Sequence, residues 1–166
     1  MKLDGRTVVV SGGASGLGGA TAEMIVAAGG HVVILDVNES SGRALVERLG
    51  PNAELVRTDV TSAADVQRAI DAGMRRFGAI HGAVCAAGIA TAGRVLGREG
   101  VLALEDFARV IDINLIGTFN VVRLAAAAMA SNAPTGGGER GAIVTTASVA
   151  AFDGQIGQAA YAASNG

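Results

Sequence analysis

Two hydroxyl-bearing residues near the end of the chain have the types and spacing of an acid/base pair. Ser148 lies thirteen residues before Tyr161 and follows the apolar, β-branched segment Ala142–Thr146. A phenol can exchange a proton with a substrate oxygen, and a serine hydroxyl can hydrogen-bond to that oxygen. The pattern therefore predicts proton-transfer chemistry just beyond a strand. A loop serine and a helix-start tyrosine without a shared role are the alternative.

A glycine-rich turn near the N-terminus predicts a phosphate site. Gly12, Gly16 and Gly18 give the spacing G-x-x-x-G-x-G between an apolar segment and a helical one. Glycine permits a tight turn and a close backbone approach to a pyrophosphate, while the helix N-terminus offers unpaired N–H groups. Because the chain contains 25 glycines, a glycine-rich turn that binds nothing is the alternative.

Asp36 ends the next apolar segment, 18 residues after Gly18. A carboxylate at this place accepts hydrogen bonds from an adenosine ribose and repels a 2′-phosphate. No Arg or Lys lies beside Asp36 or within residues 12–19. The sequence therefore predicts NAD rather than NADP as the cofactor, with a solvated strand-end aspartate as the alternative.

Asp59 and Val60 follow a third apolar segment and are predicted to contact an adenine ring. An aspartate in the turn before a helix that starts after Thr61 explains the same pattern equally well.

Strand and helix patterns alternate, which predicts one α/β domain over residues 1–166. Apolar strands between helices are typical of a doubly wound, Rossmann-like parallel sheet covered on both faces. Such sheets bind ligands at the carboxyl ends of their strands, where the motifs above lie. The predicted strands are Thr7–Val10, His31–Leu35, Ala53–Arg57, Ile80–Ala86 and Gly141–Thr146. The first two predicted helices end at Ala28 and at Leu49, and the next two span Ala63–Phe77 and Leu104–Ser131. A loop is predicted at Gly88–Gly100.

Composition argues against several classes of protein. The net charge of −2 argues against a nucleic-acid footprint. The single cysteine, Cys85, excludes a disulfide framework, and His31 and His81 have no nearby ligand cluster, so no metal site is expected. The longest late apolar run, Leu124–Ala130, is far shorter than a membrane span. We expect a cytoplasmic protein that acts on a small molecule, without nucleic-acid or membrane partners.

The ordered set of motifs resembles the short-chain dehydrogenase/reductase family over nearly the whole chain. Within the family the chain is similar to the branch of type-2 3-hydroxyacyl-CoA dehydrogenases, also described as 17β-hydroxysteroid dehydrogenases. The family resemblance rests on the glycine turn, Asp36, Asp59-Val60, Ala87-Gly88, Asn114-Leu115, Ser148 and the segment 161–164; the branch resemblance rests on residues 12–18, 90–101, 104–107, 117–121, 147–152 and 157–161.

The resemblance implies an NAD-dependent transfer of hydride between nicotinamide and a secondary alcohol or ketone, with a 3-hydroxyacyl-CoA as the substrate that the branch suggests. It assigns proton transfer to Tyr161, orientation of the substrate oxygen to Ser148, and a water in a proton relay to Asn114. It assigns cofactor binding to Gly12, Ser15, Gly16, Leu17, Gly18, Asp36, Asp59, Val60, Ala87 and Gly88.

Asn165 is the main departure from the family pattern, which has a lysine four residues after the tyrosine. A free phenol has a pKa of about 10, and a nearby cation makes it a better base at neutral pH. Asn165 still offers a hydrogen bond to a ribose hydroxyl but no charge. Cys85-Ala86 also replace two asparagines that are common in the family, and Ser11 replaces a threonine.

The family pattern continues beyond residue 166 with further helices and a strand, including a helix that commonly builds a homo-oligomer interface. We therefore expect the fifth strand to be an uncovered edge and catalysis by these 166 residues to be impaired. The sequence leaves open two alternatives to a dehydrogenase: a non-catalytic NAD-binding remnant, and a fragment that pairs through its fifth strand with another chain.

Overall fold

The computed structural model describes residues 1–98 and 100–166, which form a parallel sheet with helices on both faces. The strands are β1 (Thr7–Ser11), β2 (His31–Asp36), β3 (Ala53–Arg57), β4 (Gly82–Cys85), β5 (Leu96–Gly97), β6 (Gly100–Val101) and β7 (Ala142–Thr145). The helices are α1 (Gly16–Ala27), α2 (Glu39–Leu49), α3 (Ala63–Phe77), α4 (Leu104–Ile111), α5 (Thr118–Ala130) and α6 (Ala159–Asn165).

β1 lies at the centre of the main sheet, whose order is β3-β2-β1-β4-β7. All four pairings are parallel, and β1 pairs with β2 on one side and β4 on the other. The chain moves outward from β1 to β3 and then crosses back to β4. This reversal of direction opens a crevice beyond the carboxyl ends of β1 and β4, where open α/β sheets bind ligands. The predicted Rossmann-like sheet is confirmed.

Each face of the sheet carries its own apolar core because the β1 and β2 side chains alternate between the two faces. Val9 and Val33 face the core beneath α3 and α5, together with Val66, Ile70 and Val121. The other core lies beneath α1 and α2 and contains, among others, Val8, Val10, Val32, Ile34, Ala22, Ile25 and Leu45.

Local capping residues mark the ends of α2 and α3. Asn38 caps α2 by accepting a hydrogen bond from the Ser41 N–H, and Ser62 caps α3 by accepting one from the Asp65 N–H. Gly78 ends α3 at a φ of 88°, a conformation that glycine adopts without a steric penalty. α3 consequently has the predicted bounds, and α2 ends at the predicted Leu49.

Three segments differ from the prediction by more than one residue at an end. β4 is shorter than the predicted Ile80–Ala86 and ends at Cys85. The predicted loop Gly88–Gly100, which includes Glu99 outside the described residues, contains β5, which pairs antiparallel with β6. The predicted helix Leu104–Ser131 is interrupted by π-helical turns at Asp112–Gly117 between α4 and α5. Apolar periodicity does not separate a π turn from an α turn, so the interruption could not be predicted from the sequence pattern.

β7 pairs only with β4 among the described residues, and all four of its residues are exposed. Ile143 is 39% and Val144 55% accessible to solvent. The exposed edge expected from the sequence is therefore present in the structure.

One helical run, Leu104–Ala130, is long and apolar enough to cross a membrane by length and composition, with a mean hydropathy of 1.5 in its most apolar window. Val121, Ala125 and Met129 on this run are buried against the core beneath α3. These contacts are those of a core helix.

His81 joins three strands at the amino-terminal end of the sheet. Its Nδ1 accepts a hydrogen bond from the Thr7 N–H at 3.1 Å. Its own N–H donates to the Thr7 carbonyl, and its carbonyl accepts from the Ala142 N–H. Burial, followed by the charges of Arg6 and His31, lowers the pKa of His81. The acceptor role of Nδ1 requires the neutral ring, so both effects favour the same protonation state.

We predict that the folded state becomes less stable as the pH falls below about 6.5. The unfolded chain binds a proton at His81 near the ordinary histidine pKa of about 6.5, whereas the folded chain resists protonation, so the unfolded state gains protons first. Thermal melts of the unaltered chain and of His81→Asn between pH 7.5 and 5 test this. The variant keeps a non-titrating acceptor and should show a flatter pH dependence; parallel curves would contradict the assignment.

Candidate active site

The turn after β1 is built on a close contact between backbones. Gly12 has a φ of 65°, and its N–H donates to the Leu35 carbonyl at 2.8 Å. A Cβ atom at Gly12 would lie 2.7 Å from the Ala87 nitrogen. The turn therefore lies directly against the chain that leaves β4, and a side chain at residue 12 would separate them.

Gly18 lets the first turn of α1 fold back onto Gly12. A Cβ at Gly18 would lie 2.2 Å from the Gly12 carbonyl oxygen, closer than any real contact. Ser15, at the N-cap, is exposed, and its side chain makes no capping hydrogen bond. The first N–H groups of α1 are thus not consumed by a side-chain cap, which is the arrangement a phosphate group requires.

Gly13 is a part of this turn that the sequence analysis missed. A Cβ there would lie 2.8 Å from the Val10 carbonyl oxygen and 3.1 Å from Cγ2 of Ile34. The glycine pair at residues 12 and 13 was the available signal, because each of the two glycines allows a different close approach.

Asp36 ties the glycine turn to the end of β2. One carboxylate oxygen accepts from the Ala14 N–H at 3.0 Å and the other from the Asn38 N–H at 2.9 Å. Two backbone donors therefore fix the orientation of the carboxylate, which is only partly buried. An ionised carboxylate has lone pairs to spare after these two bonds, so it can still accept from a sugar hydroxyl.

Asp59 adopts the turn geometry that the sequence analysis left open. Its carboxylate accepts from the N–H of Thr61 at 2.9 Å and from the Thr61 hydroxyl at 2.7 Å. Its N–H donates to Asp65 at 3.1 Å, and this hydrogen bond, with Arg68 next, lowers the pKa of Asp65. Asp59 thus shapes the loop after β3.

A cleft of about 380 Å³ opens at the carboxyl ends of β4 and β7. Its walls bring together residues that are far apart in the sequence, including six of the predicted site residues. The predicted residues on its walls are Leu17, Ala87, Gly88, Asn114, Tyr161 and Asn165; the other lining residues are Ala86, Ile89, Ala90, Leu115, Thr118, Thr145, Thr146, Ala147, Ser164 and Gly166.

Asn114 lies in the π-helical turns and holds the loop after β4 through two hydrogen bonds. Its Oδ1 accepts from the Ile89 N–H at 2.8 Å, and its Nδ2 donates to the Ile89 carbonyl at 2.9 Å. Nδ2 also donates to the Ser164 hydroxyl at 3.0 Å, which in turn donates to the Tyr161 carbonyl at 2.9 Å. Ser164 is only 8% exposed and links the two elements of the cleft. The sequence analysis gave it no role, because its partner Asn114 is 50 residues away.

Asn165 points its amide at the backbone of α6. Its Nδ2 donates to the Tyr161 carbonyl at 2.8 Å. No residue described as lining the cleft is a Lys, Arg or His. The cleft therefore presents hydroxyl and amide groups without a cation.

Ser148 is not among the residues that line the cleft with Tyr161. It caps a short 3-10 turn, Val149–Ala151, where its Oγ accepts from the Ala150 N–H at 3.2 Å. Because that bond uses a lone pair, the hydroxyl proton is still able to donate. Thr146 and Ala147 occupy the cleft wall next to it in the chain.

Cys85 is a core residue. It is 2% exposed, and burial raises the pKa of its thiol to about 11, partly opposed by a hydrogen bond with Ser11. The Ser11 hydroxyl also accepts from the Ala87 N–H, though at a long 3.4 Å. A thiol held in its protonated form is unreactive at neutral pH.

Comparison with known proteins shows similarity over nearly the whole chain. A family model described as short chain dehydrogenase matches residues 6–166. The 3-hydroxyacyl-CoA dehydrogenase type-2 of Homo sapiens is 51% identical over 166 residues, 99% of this chain and 64% of that protein. The Drosophila melanogaster protein of the same name is 50% identical over 158 residues, 94% of this chain and 62% of its own length.

The crystal structure of 3-hydroxyacyl-CoA dehydrogenase type-2 from Mycobacterium avium superposes with a TM-score of 0.93 at 45% sequence identity. The match covers 99% of this chain and 66% of that one. Measured against the human relative, the chain spans about 64% of that protein's length.

We predict that Gly18→Ala disrupts the glycine turn. The added Cβ collides with the rigid Gly12 backbone, so the start of α1 must move away from the phosphate position, and the melting temperature should fall as well. Gly136→Ala is the matched control, because a Cβ there meets nothing within 4 Å. Titration with ADP-ribose should show at least tenfold weaker binding for Gly18→Ala, equivalent to about 1.4 kcal/mol, and no change for the control. Equal binding by both would refute the role of the turn.

Proposed function

This chain belongs to the short-chain dehydrogenase family, and from that premise we propose that it binds NAD and transfers hydride between the nicotinamide and a secondary alcohol or ketone. The observation that carries the proposal is the cleft that brings Tyr161 and Asn114 to the side of Leu17 and the glycine turn. The names of the similar dehydrogenases suggest a 3-hydroxyacyl-CoA as the substrate.

The residues around the crevice fit a dinucleotide. We assign the pyrophosphate to Gly12, Ser15, Gly16, Leu17 and Gly18, where α1 begins without a side-chain cap. We assign the remaining contacts on the two sides of the strand-order reversal. The adenosine ribose is assigned to Asp36, the adenine to Asp59 and Val60, and the nicotinamide side to Ala87 and Gly88. When bound, the nicotinamide supplies or accepts the hydride.

The side chains at the other end of the cleft handle the proton and the orientation of the substrate. We assign proton exchange with the substrate oxygen to the Tyr161 hydroxyl and orientation of that oxygen to Ser148, whose O–H can donate while Oγ accepts from Ala150. Asn114 fixes the loop at Ile89 and, through Ser164, the backbone of Tyr161. Asn165 contributes an amide on the same helix.

A second candidate is a protein that binds NAD without turnover. The observation that favours it is the absence of a cation among the described residues that line the cleft. Binding of the nucleotide depends on backbone amides and Asp36, so it does not require a cation in the cleft. Proton removal from a phenol, in contrast, depends on a nearby positive charge.

The proposal extends to a small-molecule substrate as the partner of this cleft and to a cytoplasmic location. The relatives named as dehydrogenases support the first part. A single buried cysteine is compatible with the second.

We predict saturable binding of NADH, with NADPH bound roughly tenfold or more weakly. A 2′-phosphate near Asp36 meets a like charge, worth about 1–4 kcal/mol for unit charges 4 Å apart. Fluorescence titration of the 166-residue chain with each nucleotide measures both affinities, and Asp36→Asn should narrow the difference between them. A preference for NADPH, or a difference that Asp36→Asn leaves unchanged, would contradict the assignment of Asp36.

We predict that Asn165→Lys raises the rate of NADH-dependent reduction of acetoacetyl-CoA or of simple ketones. A cation near a developing phenolate stabilises it by about 1–4 kcal/mol, which corresponds to a rate increase of roughly five- to several hundredfold. Asn165→Met, of similar length and without charge, is the matched control.

Tyr161→Phe in the lysine background should abolish the gain. A rate that rises equally in the methionine variant would show that charge is not the missing element. If NADH binds but none of these variants turns over, the second candidate function is supported and the first is refuted.

A further inference from the structure

The loop after β3 is held from two sides. On the α3 side, Asp65 accepts from the Asp59 N–H at 3.1 Å. On the α5 side, Asn120 donates from Nδ2 to the Val60 carbonyl at 2.8 Å, across 60 residues of sequence. Asn120 is 6% and Val60 7% exposed, so this hydrogen bond is shielded from water. Leaving a buried amide without such a partner costs free energy, so this contact strongly restrains the loop.

Gly117 brings α5 close enough for this bond. A Cβ at Gly117 would lie 2.5 Å from Cγ2 and 3.1 Å from Cβ of Val60. The Val60 side chain therefore packs directly on the helix backbone at the end of the π-helical turns. Its position is fixed by shape at the side chain and by a hydrogen bond at the carbonyl.

Arg123 sets which end of the Asn120 amide faces the loop. Its Nε and one terminal nitrogen both donate to Oδ1 of Asn120, at 3.0 and 2.7 Å. With Oδ1 occupied by a cation, Nδ2 is left to face the Val60 carbonyl. The reverse orientation would place a carbonyl oxygen against another and two N–H groups against the guanidinium.

We propose that Asn120 is a positioning residue for the adenine end of the cofactor site, acting through the Val60 backbone and oriented by Arg123. The inference rests on the proposed NAD-binding function, since it takes Val60 as a wall of the adenine pocket. The same helical stretch also holds Asn114, which fixes the loop at Ile89. One segment of the chain, residues 112–120, thus sets the positions of both ends of the crevice.

Asn120→Asp tests the proposal, because it preserves size and the pairing with Arg123 but removes the donor to Val60. We expect affinity for 5′-AMP and for ADP-ribose to fall about tenfold, as for a lost buried hydrogen bond. Affinity for nicotinamide mononucleotide, which does not reach the adenine pocket, should stay within a factor of two. A residue with a merely structural role would weaken all three ligands together, or none.

Arg123→Glu and Arg123→Lys form the second pair of variants, and they decide the matter if Asn120→Asp does not fold. Glutamate presents a hydrogen-bond acceptor to the Asn120 side chain where arginine presented donors, so it favours the flipped amide. It should therefore reproduce the selective loss of 5′-AMP affinity. Lysine keeps a cationic donor and should retain affinity within a factor of two. Equal 5′-AMP affinity in the glutamate and lysine variants would overturn the role of Arg123 and, with it, the proposal.

The unaltered chain separates this inference from the proposed function. If it binds neither NADH nor 5′-AMP, the proposed function fails, and the inference fails with it. If it binds both and the folded variants bind them equally well, only the inference is overturned.

Discussion

The position of β1 between β2 and β4 is the constraint on which the rest of the structure depends. All five residues of β1 are buried, and the strand pairs on both edges. The turn that follows it is consequently confined between the end of β2 and the chain leaving β4. Gly12 donates to Leu35 on one side and touches the Ala86-Ala87 backbone on the other. The narrow turn, the fixed carboxylate of Asp36 and the open crevice all follow from this placement.

Close backbone approach in the crevice is obtained by removing side chains, which has an energetic cost. A glycine in place of alanine within a helix, as at Gly18 in α1, loses roughly 0.5–1 kcal/mol through the greater entropy of the unfolded chain. The fully buried branched residues of the central strands, such as Val9, Val33 and Ile34, offset this, at about 1.5–3 kcal/mol for each side chain buried. The buried strands of the sheet thus offset the cost of the glycines at the crevice.

Features encoded by short stretches of sequence were predictable, and features made by distant contacts were not. Ser62 and Gly78 mark both ends of α3 locally, so its bounds were predicted correctly. The π-helical turns at Asp112–Gly117 end at Gly117, which packs closely against Val60, and no periodicity reveals this contact. Asn120 and Ser164 contact partners 60 and 50 residues away, so their positions became evident only in the folded chain. The turn role of Asp59 was one of two alternatives, and its contacts with Thr61 show the turn geometry directly.

The groups that position the walls of the crevice are distinct from a charge that would assist proton transfer. Asn114, Asn120 and Asn165 each direct an amide at a backbone carbonyl, so neutral hydrogen bonds hold the loops and helix that surround the site. The hydrogen bonds to these carbonyls carry no net charge and are insensitive to pH, and only the Asn120 amide takes its orientation from a cation, Arg123. Proton transfer by a phenol makes a different demand, because it creates charge that a neutral amide stabilises less than a cation does. The scaffold for binding can therefore persist in a chain whose cleft lacks the charge that favours turnover, and binding and catalysis are best understood as separable properties of this fold.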